Sequence, residues 1–184
     1  MPSPMILDCI TKRQSIRRYF NTPLAREHLL QCIEAARLAP SACNMQPWKF
    51  IIVDDVDLKN RLCQEAFGGV YAINRFAASA PVIVAVISEK EKFLTALAGR
   101  VRGTKYYLLD IGISCEHFIL QAAELGIGSC WIGWFDEKKV KELLKVPHSE
   151  KVDVLISLGY YQEVQRSQKI RKPQKEIVSF NRYK

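Results

Sequence analysis

Three stretches of this 184-residue chain carry side chains suited to holding a charged organic ligand. The first is RQSIRR, with Arg13, Ser15 and Arg17 on alternate residues. In an extended backbone, alternate residues point the same way. Two guanidiniums and a hydroxyl on one side would cradle a phosphate and a polar chain. A solvated basic turn accounts for the same residues when the motif stands alone. The second stretch is SQKIRKPQ, where Lys169, Arg171 and Lys172 precede Pro173. Alone, it is equally a basic tail. The third is APSACNMQPWKF, which sets Ser41, Asn44 and Gln46 beside Trp48. A side-chain amide offers a donor and an acceptor together, which suits the edge of a heteroaromatic ring. The alternative is a capped turn feeding a strand, with Trp48 in the core.

Other chemistries find little support. No Ser-His-Asp or Cys-His order stands out, and no carboxylate pair shares a helix face near a histidine. The six cysteines form no C-x-x-C pair, and the three histidines lie at no ligand spacing from them. Reduced thiols are therefore expected in place of disulfides or a zinc site. Cys43 and Cys130 flank the candidate segments, and each reads as a buried structural thiol. GIGSCWIG fails as a dinucleotide fingerprint. The sixth position counted from Gly126 is Trp131, and the stretch follows a helix and opens a strand. The formal charge is +8, from 27 Lys and Arg against 19 Asp and Glu. The excess lacks a basic helix with interleaved aromatics, so nucleic-acid binding is not expected. No apolar run approaches the ~20 residues of a membrane-spanning helix, and no secretory signal opens the chain. No membrane association and a cytoplasmic location follow as expectations.

These groups need elements to position them. Apolar periodicity predicts helices over residues 5–13 and 25–39, the second ended by Pro40. A third helix follows Asp55 or Asp57 as its cap, and a long, mostly apolar one runs over 105–126. A surface helix starts after Asp136. Strands are predicted at KFIIVD, APVIVAVIS, GSCWIGWF and KVDVLISLGYY, the second buried on both faces. Gly68-Gly69 opens a loop, and residues 89–104 read as a partly helical, mobile excursion. Two helices precede any strand, and the longest lies between strands two and three. That order favours an α+β layered sandwich over a doubly wound parallel sheet. No repeat or boundary divides the chain, so residues 1–184 are expected to form a single domain.

In order and spacing, five segments together resemble the nitroreductase family of FMN-dependent oxidoreductases. They are RQSIRRYF, APSACNMQPWKFIIV, APVIVAV, LLDIGISCEHFILQAAELGIGSCWIGWF and KIRKPQKEIV. The resemblance implies a mostly antiparallel central sheet flanked by helices, and an intertwined homodimer with FMN at its interface. It implies that Arg13 and Ser15 hold the phosphate and ribityl chain, with Arg17 near the flavin N1 and O2. Arg171, with Lys169 or Lys172, would close on the phosphate. Pro40, Ser41 and Asn44 would line the partner's cofactor, with Gln46 and Trp48 bracing that loop. Residues Trp131, Ile132, Gly133 and Trp134 would pass the flavin edge, the Gly133 N–H facing N5. Arg75 is a weak match to the family's pyrimidine-edge contacts. Arg100, Arg102 and Lys105 would favour anionic ligands if the 89–104 excursion joins the pocket. The implied activity is ping-pong reduction of nitroaromatics, quinones or a related small-molecule acceptor by NADH or NADPH. Specialised flavin chemistry on the same fold, such as dehalogenation or flavin breakdown, and a non-enzymatic basic binding module are the alternatives.

Overall fold

The computed structural model describes residues 5–89, 103–162 and 169–183. At its centre is β2 (Val82–Ser88), VIVAVIS, in which every residue is buried. A strand without a polar face needs cover on both sides, and it has it. The four-stranded sheet runs β1-β2-β4-β3, antiparallel throughout, with β1 (Trp48–Val53) and β3 (Gly128–Ile132) outermost and β4 (Lys151–Gly159) beside β2. Side-chain alternation divides β2 between two layers. Val82, Val84 and Val86 meet α2 (Arg26–Arg37) and α4 (Tyr106–Glu124) through Leu29, Cys32, Cys115 and Phe118. Ile83, Ala85 and Ile87 meet α3 (Val56–Ala66) and α5 (Glu137–Leu144) through Leu62, Cys63 and Val140. The short helix α1 (Met5–Lys12) buries no residue completely, and α6 (Gln174–Ile177) lies exposed near the end of the chain.

The expected caps are present. Asp55 accepts from the Leu58 N–H at 2.8 Å, and Asp136 from the Lys139 N–H at 3.2 Å. Gly126, at φ 71°, takes the left-handed position that ends α4.

Three expectations need correction. The third strand ends at Ile132 and does not run to Phe135, because Gly133 and Trp134 leave the sheet. Gly68-Gly69 opens a 3-10 segment, Gly69–Ser79, where a loop was expected. Its sequence shows why. Val70, Ile73 and Phe76 recur every three residues, as do Tyr71, Asn74 and Ala77, and three is the 3-10 period. Buried Lys59 pins the segment by donating to the Ala78 carbonyl at 2.9 Å. Cys43 is exposed, not buried, because its turn projects from the core. Most of the 89–104 excursion lies outside the described residues, Arg100 and Arg102 included; Lys105 is exposed at the start of α4.

One polar group sits awkwardly. The β2–β4 ladder slips between Val86 opposite Val154 and Ile87 opposite Val152, leaving Asp153 as a bulged residue. Its side chain is only 6% exposed, and neither carboxylate oxygen has a hydrogen-bond partner. The Lys151 ammonium stands 3.9 Å away. Burial raises the Asp153 pKa above the usual carboxylate range, an effect that nearby Ser88 and Lys151 temper.

Candidate active site

The Arg13–Arg17 segment is extended, as its alternation requires. Ser15 forms a parallel bridge with Ser129, and the Ile16 N–H donates to the Ser129 carbonyl at 2.9 Å. The segment thus lies along the outer edge of β3. Gly128 permits this approach. A Cβ there would stand 2.8 Å from Ile16 and 2.7 Å from the Tyr161 ring. Farther on, the Phe20 N–H donates to the Tyr160 carbonyl at 2.8 Å, and the Tyr19 hydroxyl lies 2.6 Å from the Ile16 carbonyl and 2.8 Å from the Ser157 hydroxyl. Burial drives the Tyr19 phenol well above its ordinary range, so it stays neutral and structural.

Ser15 and the charges of Arg13 and Arg17 act on the Cys130 thiol of β3. Burial pushes that thiol up, while the Arg17 charge, a Ser15 hydrogen bond and the Arg13 charge pull it back. Cys130 is the buried thiol that the sequence suggests; Cys32 and Cys115 are buried too, and burial pushes each up to about 12. None of these is a nucleophile near neutral pH.

The tail returns to the same place. Lys169 donates from Nζ to the Ile10 carbonyl at 2.9 Å and to the Arg13 carbonyl. Residues from opposite ends of the sequence therefore share one spot. Arg171 and Lys172 are exposed, and Arg171 donates to its neighbour, the Ile170 carbonyl, at 2.8 Å. No hydrogen bond among the described residues draws them to Arg13.

The end of β3 is held from the other side. Trp134 donates from its indole to the Val70 carbonyl at 3.2 Å, accepts from the Asn74 amide at 2.7 Å, and packs on the Tyr71 ring at 5.1 Å. Arg17 lies over the Phe76 ring at 5.7 Å. The 3-10 segment thus buttresses both Trp134 and Arg17, a role the sequence reading missed beyond a weak candidate at Arg75. Arg75 is exposed and donates to the Phe67 carbonyl at 3.3 Å. The three-residue spacing of Tyr71, Asn74 and Ala77 was the available signal. Ile132 is buried in the core, so only its backbone can face a ligand. Trp131 is 38% exposed and Trp134 57%. A Cβ built on exposed Gly133 meets nothing.

The remaining stretch stands apart. The loop after α2 makes a 3-10 turn at Ala42–Asn44. The Ser41 hydroxyl accepts from the Gln46 N–H at 2.9 Å, and the Gln46 amide donates to the Asn44 carbonyl and side chain at 3.2 and 3.1 Å. Cys43, Asn44 and Gln46 all have left-handed backbones, at φ 51°, 53° and 48°. Trp48 packs against the α2–α4 side of the core, so it braces the loop's exit. Pro40 and Asn44 are exposed, and Ser41 is half-buried. None of the hydrogen bonds among the described residues joins residues 40–46 to Arg13, Ser15, Arg17 or 131–134.

The arrangement is a basic segment and two exposed tryptophans along one edge of the sheet, with an exposed amide-bearing loop elsewhere on the surface. Residues 10–160 match the family model described as the nitroreductase family. The chain belongs to the nitroreductase family. It is similar to the crystal structure of a nitroreductase family protein from Clostridium novyi NT, at 33% identity and TM-score 0.76 over 87% of each chain. It is also similar to an FMN-dependent nitroreductase from Clostridium difficile R20291, at 30% identity and TM-score 0.76, over 96% of this chain and 99% of that one. An oxygen-insensitive NADPH nitroreductase from Helicobacter acinonychis is 30% identical over 84% of this chain and 85% of its own length. The fold is therefore the α+β nitroreductase fold, and the chain is a nitroreductase-family oxidoreductase. No helix among the described residues is long and apolar enough to cross a membrane.

Proposed function

We propose that two copies of this chain bind FMN between them and use NADH or NADPH to reduce a nitroaromatic, a quinone or a related small acceptor. The observation that carries this reading is the extended Arg13–Arg17 segment along the β3 edge, to which Lys169 returns from the tail. Three cations and a hydroxyl gathered on this one segment suit a phosphorylated cofactor, and the donor set fits FMN. Arg13 and Ser15 would hold its phosphate and ribityl chain. Lys169, with Arg171 and Lys172 from the exposed tail, would complete the anion site. Arg17, steadied over Phe76, would place a fixed charge near the pyrimidine end, where negative charge is favoured by such a neighbour. The Gly133 N–H would face N5 in open space, and Trp131 and Trp134 would shape the slot. When bound, FMN supplies the two-electron transfer, so the protein needs no acid–base triad of its own. One open slot serving reductant and then acceptor gives ping-pong turnover.

A second copy would bring Pro40, Ser41 and Asn44 to each site. The surface supports a partner. Met5 and Ile6 of α1, Leu109 of α4, and Ile170, Ile177 and Phe180 of the tail are all more than half exposed. The outer edge of β1 pairs with no strand among the described residues. Such edges and apolar surfaces ask for cover, and an intertwined dimer provides it.

Purified protein tests the reading directly. Flavin absorbance near ~450 nm that bleaches with NADH or NADPH without oxygen is the expected result, with a dimer mass by light scattering. A colourless protein given excess FMN, or a flavin-loaded monomer, refutes it.

A further inference from the structure

We infer that Asp110 is a positioning residue: from the core helix of one copy it sets the shape of the Ser41–Gln46 loop presented to the partner's cofactor. The inference rests on the shared flavin site proposed above. Asp110 lies in α4 and is 5% exposed. Its carboxylate accepts from the Ala42 N–H at 3.0 Å, a bond spanning 68 residues of sequence. Ala42 opens the 3-10 turn, directly after an extended Ser41 at φ −144°, ψ 157°. One helical turn on, fully buried Ser114 donates to the Ala36 carbonyl at 3.0 Å, where α2 ends. Residues four apart share a helix face, so one face of α4 grips the chain on both sides of the point where the loop departs.

The loop's other side-chain bonds, from Gln46 to Asn44 and from the Gln46 N–H to Ser41, tie it only to itself. They can shape a turn but cannot aim it. Among the described residues, the Asp110 carboxylate is the side chain that bonds this turn to the core, and it sits just before the left-handed pair Cys43 and Asn44. A charged acceptor on a backbone N–H makes a strong, short-range anchor. Removing it frees the turn from the helix while leaving the Arg13 cradle, on its own sheet edge, intact.

The test uses the full-length dimer and FMN titration by fluorescence quenching. Asp110→Ala is expected to weaken FMN binding by tenfold or more. Asp110→Asn, which keeps an acceptor, should stay within about threefold of the parent. Ala42→Pro deletes the donor from the other end of the bond. The position tolerates proline, since the residue before it is already extended, so this variant reports even if Asp110→Ala does not fold. Ser114→Ala should lower melting temperature without the same loss of FMN.

Mixed dimers then decide where Asp110 acts. A dimer of one Asp110→Ala subunit and one Arg13→Ala subunit has one site with both an intact cradle and an intact partner loop. It should bind one FMN at the parent affinity. No tight site in that mixture, or parent-like FMN binding by both Asp110→Ala and Ala42→Pro, overturns the positioning role. Parent-like binding by Arg13→Ala alone overturns the flavin reading beneath it, a different outcome from either of those.

Discussion

The Arg13–Arg17 segment and the Ser41–Gln46 loop are both short, polar and irregular, yet they keep their shapes by different means. The first borrows the sheet. Its Ile16 N–H bonds Ser129, Ser15 bridges the same residue, and Gly128 makes room. Its backbone is extended and unstrained. The second has no strand beside it among the described residues, and three non-glycine residues in the left-handed region. Each such residue costs on the order of 1–3 kcal/mol and persists only where its surroundings hold it. Here they do, through Ser41, Gln46 and the buried Asp110. A group placed by sheet register needs only the sheet. A group placed by a strained turn needs dedicated anchors, and it is sensitive to their loss.

The sharpest way to break this contrast is at the sheet edge. Gly128→Ala forces a Cβ into Ile16 and Tyr161 at under 3 Å. Overpacking of this kind typically costs about 1–3 kcal/mol, and it should also displace the cradle, with FMN affinity falling more than 100-fold. Gly112→Ala in α4 is the control, since its Cβ meets nothing. Equal effects of the two on FMN titration would deny that register places the cradle. Next, Arg13→Ala removes a charge-assisted donor without moving the backbone. FMN binding should weaken by about 1.5–3 kcal/mol, with melting temperature almost unchanged. Unaltered flavin retention on dialysis would contradict the assignment.

Asp153 supplies a third term in the comparison, a buried polar group that neither mode of support satisfies. Its folded pKa is raised by burial, so the native state holds its proton more tightly than the unfolded chain does. Stability from this group is present below the ordinary carboxylate pKa and is lost as pH rises through the folded value. Asp153→Asn should therefore stabilise the protein near neutral pH, by about 1 kcal/mol, and have little effect at strongly acidic pH. Urea unfolding at several pH values reads this; equal gains at all of them would show that ionisation is not the cause. The smallest effect is expected at Cys43→Gly. Relief of a left-handed residue is worth about 1–2 kcal/mol, set against about 0.5–1 kcal/mol for glycine's extra chain entropy. A small rise in melting temperature with FMN binding intact sharpens the picture of a strained loop, whereas a clear fall in melting temperature would mean that the backbone there is not strained.

Much of this was legible in the sequence. The apolar run of β2, the caps Asp55 and Asp136, and the stop at Gly126 are local statements, and local propensity decided them. The alternation of Arg13, Ser15 and Arg17 also predicted that they share a side, provided that the backbone is extended. Whether it is extended was settled elsewhere in the chain, by Ser129 and by the space over Gly128. The same holds for the return of Lys169 to Arg13, a contact across 156 residues. The Gly69–Ser79 segment escaped notice because a three-residue period is short and easily mistaken for a loop. Its use as a buttress exists only once Trp134 turns out of β3 to meet it. The left-handed turn at Cys43 runs against residue type altogether, and a carboxylate 68 residues away holds it. Sequence by itself thus fixed which elements form and which chemistry is at hand. Tertiary structure decided which of those groups meet, because the bonds that aim them come from residues that only folding brings near.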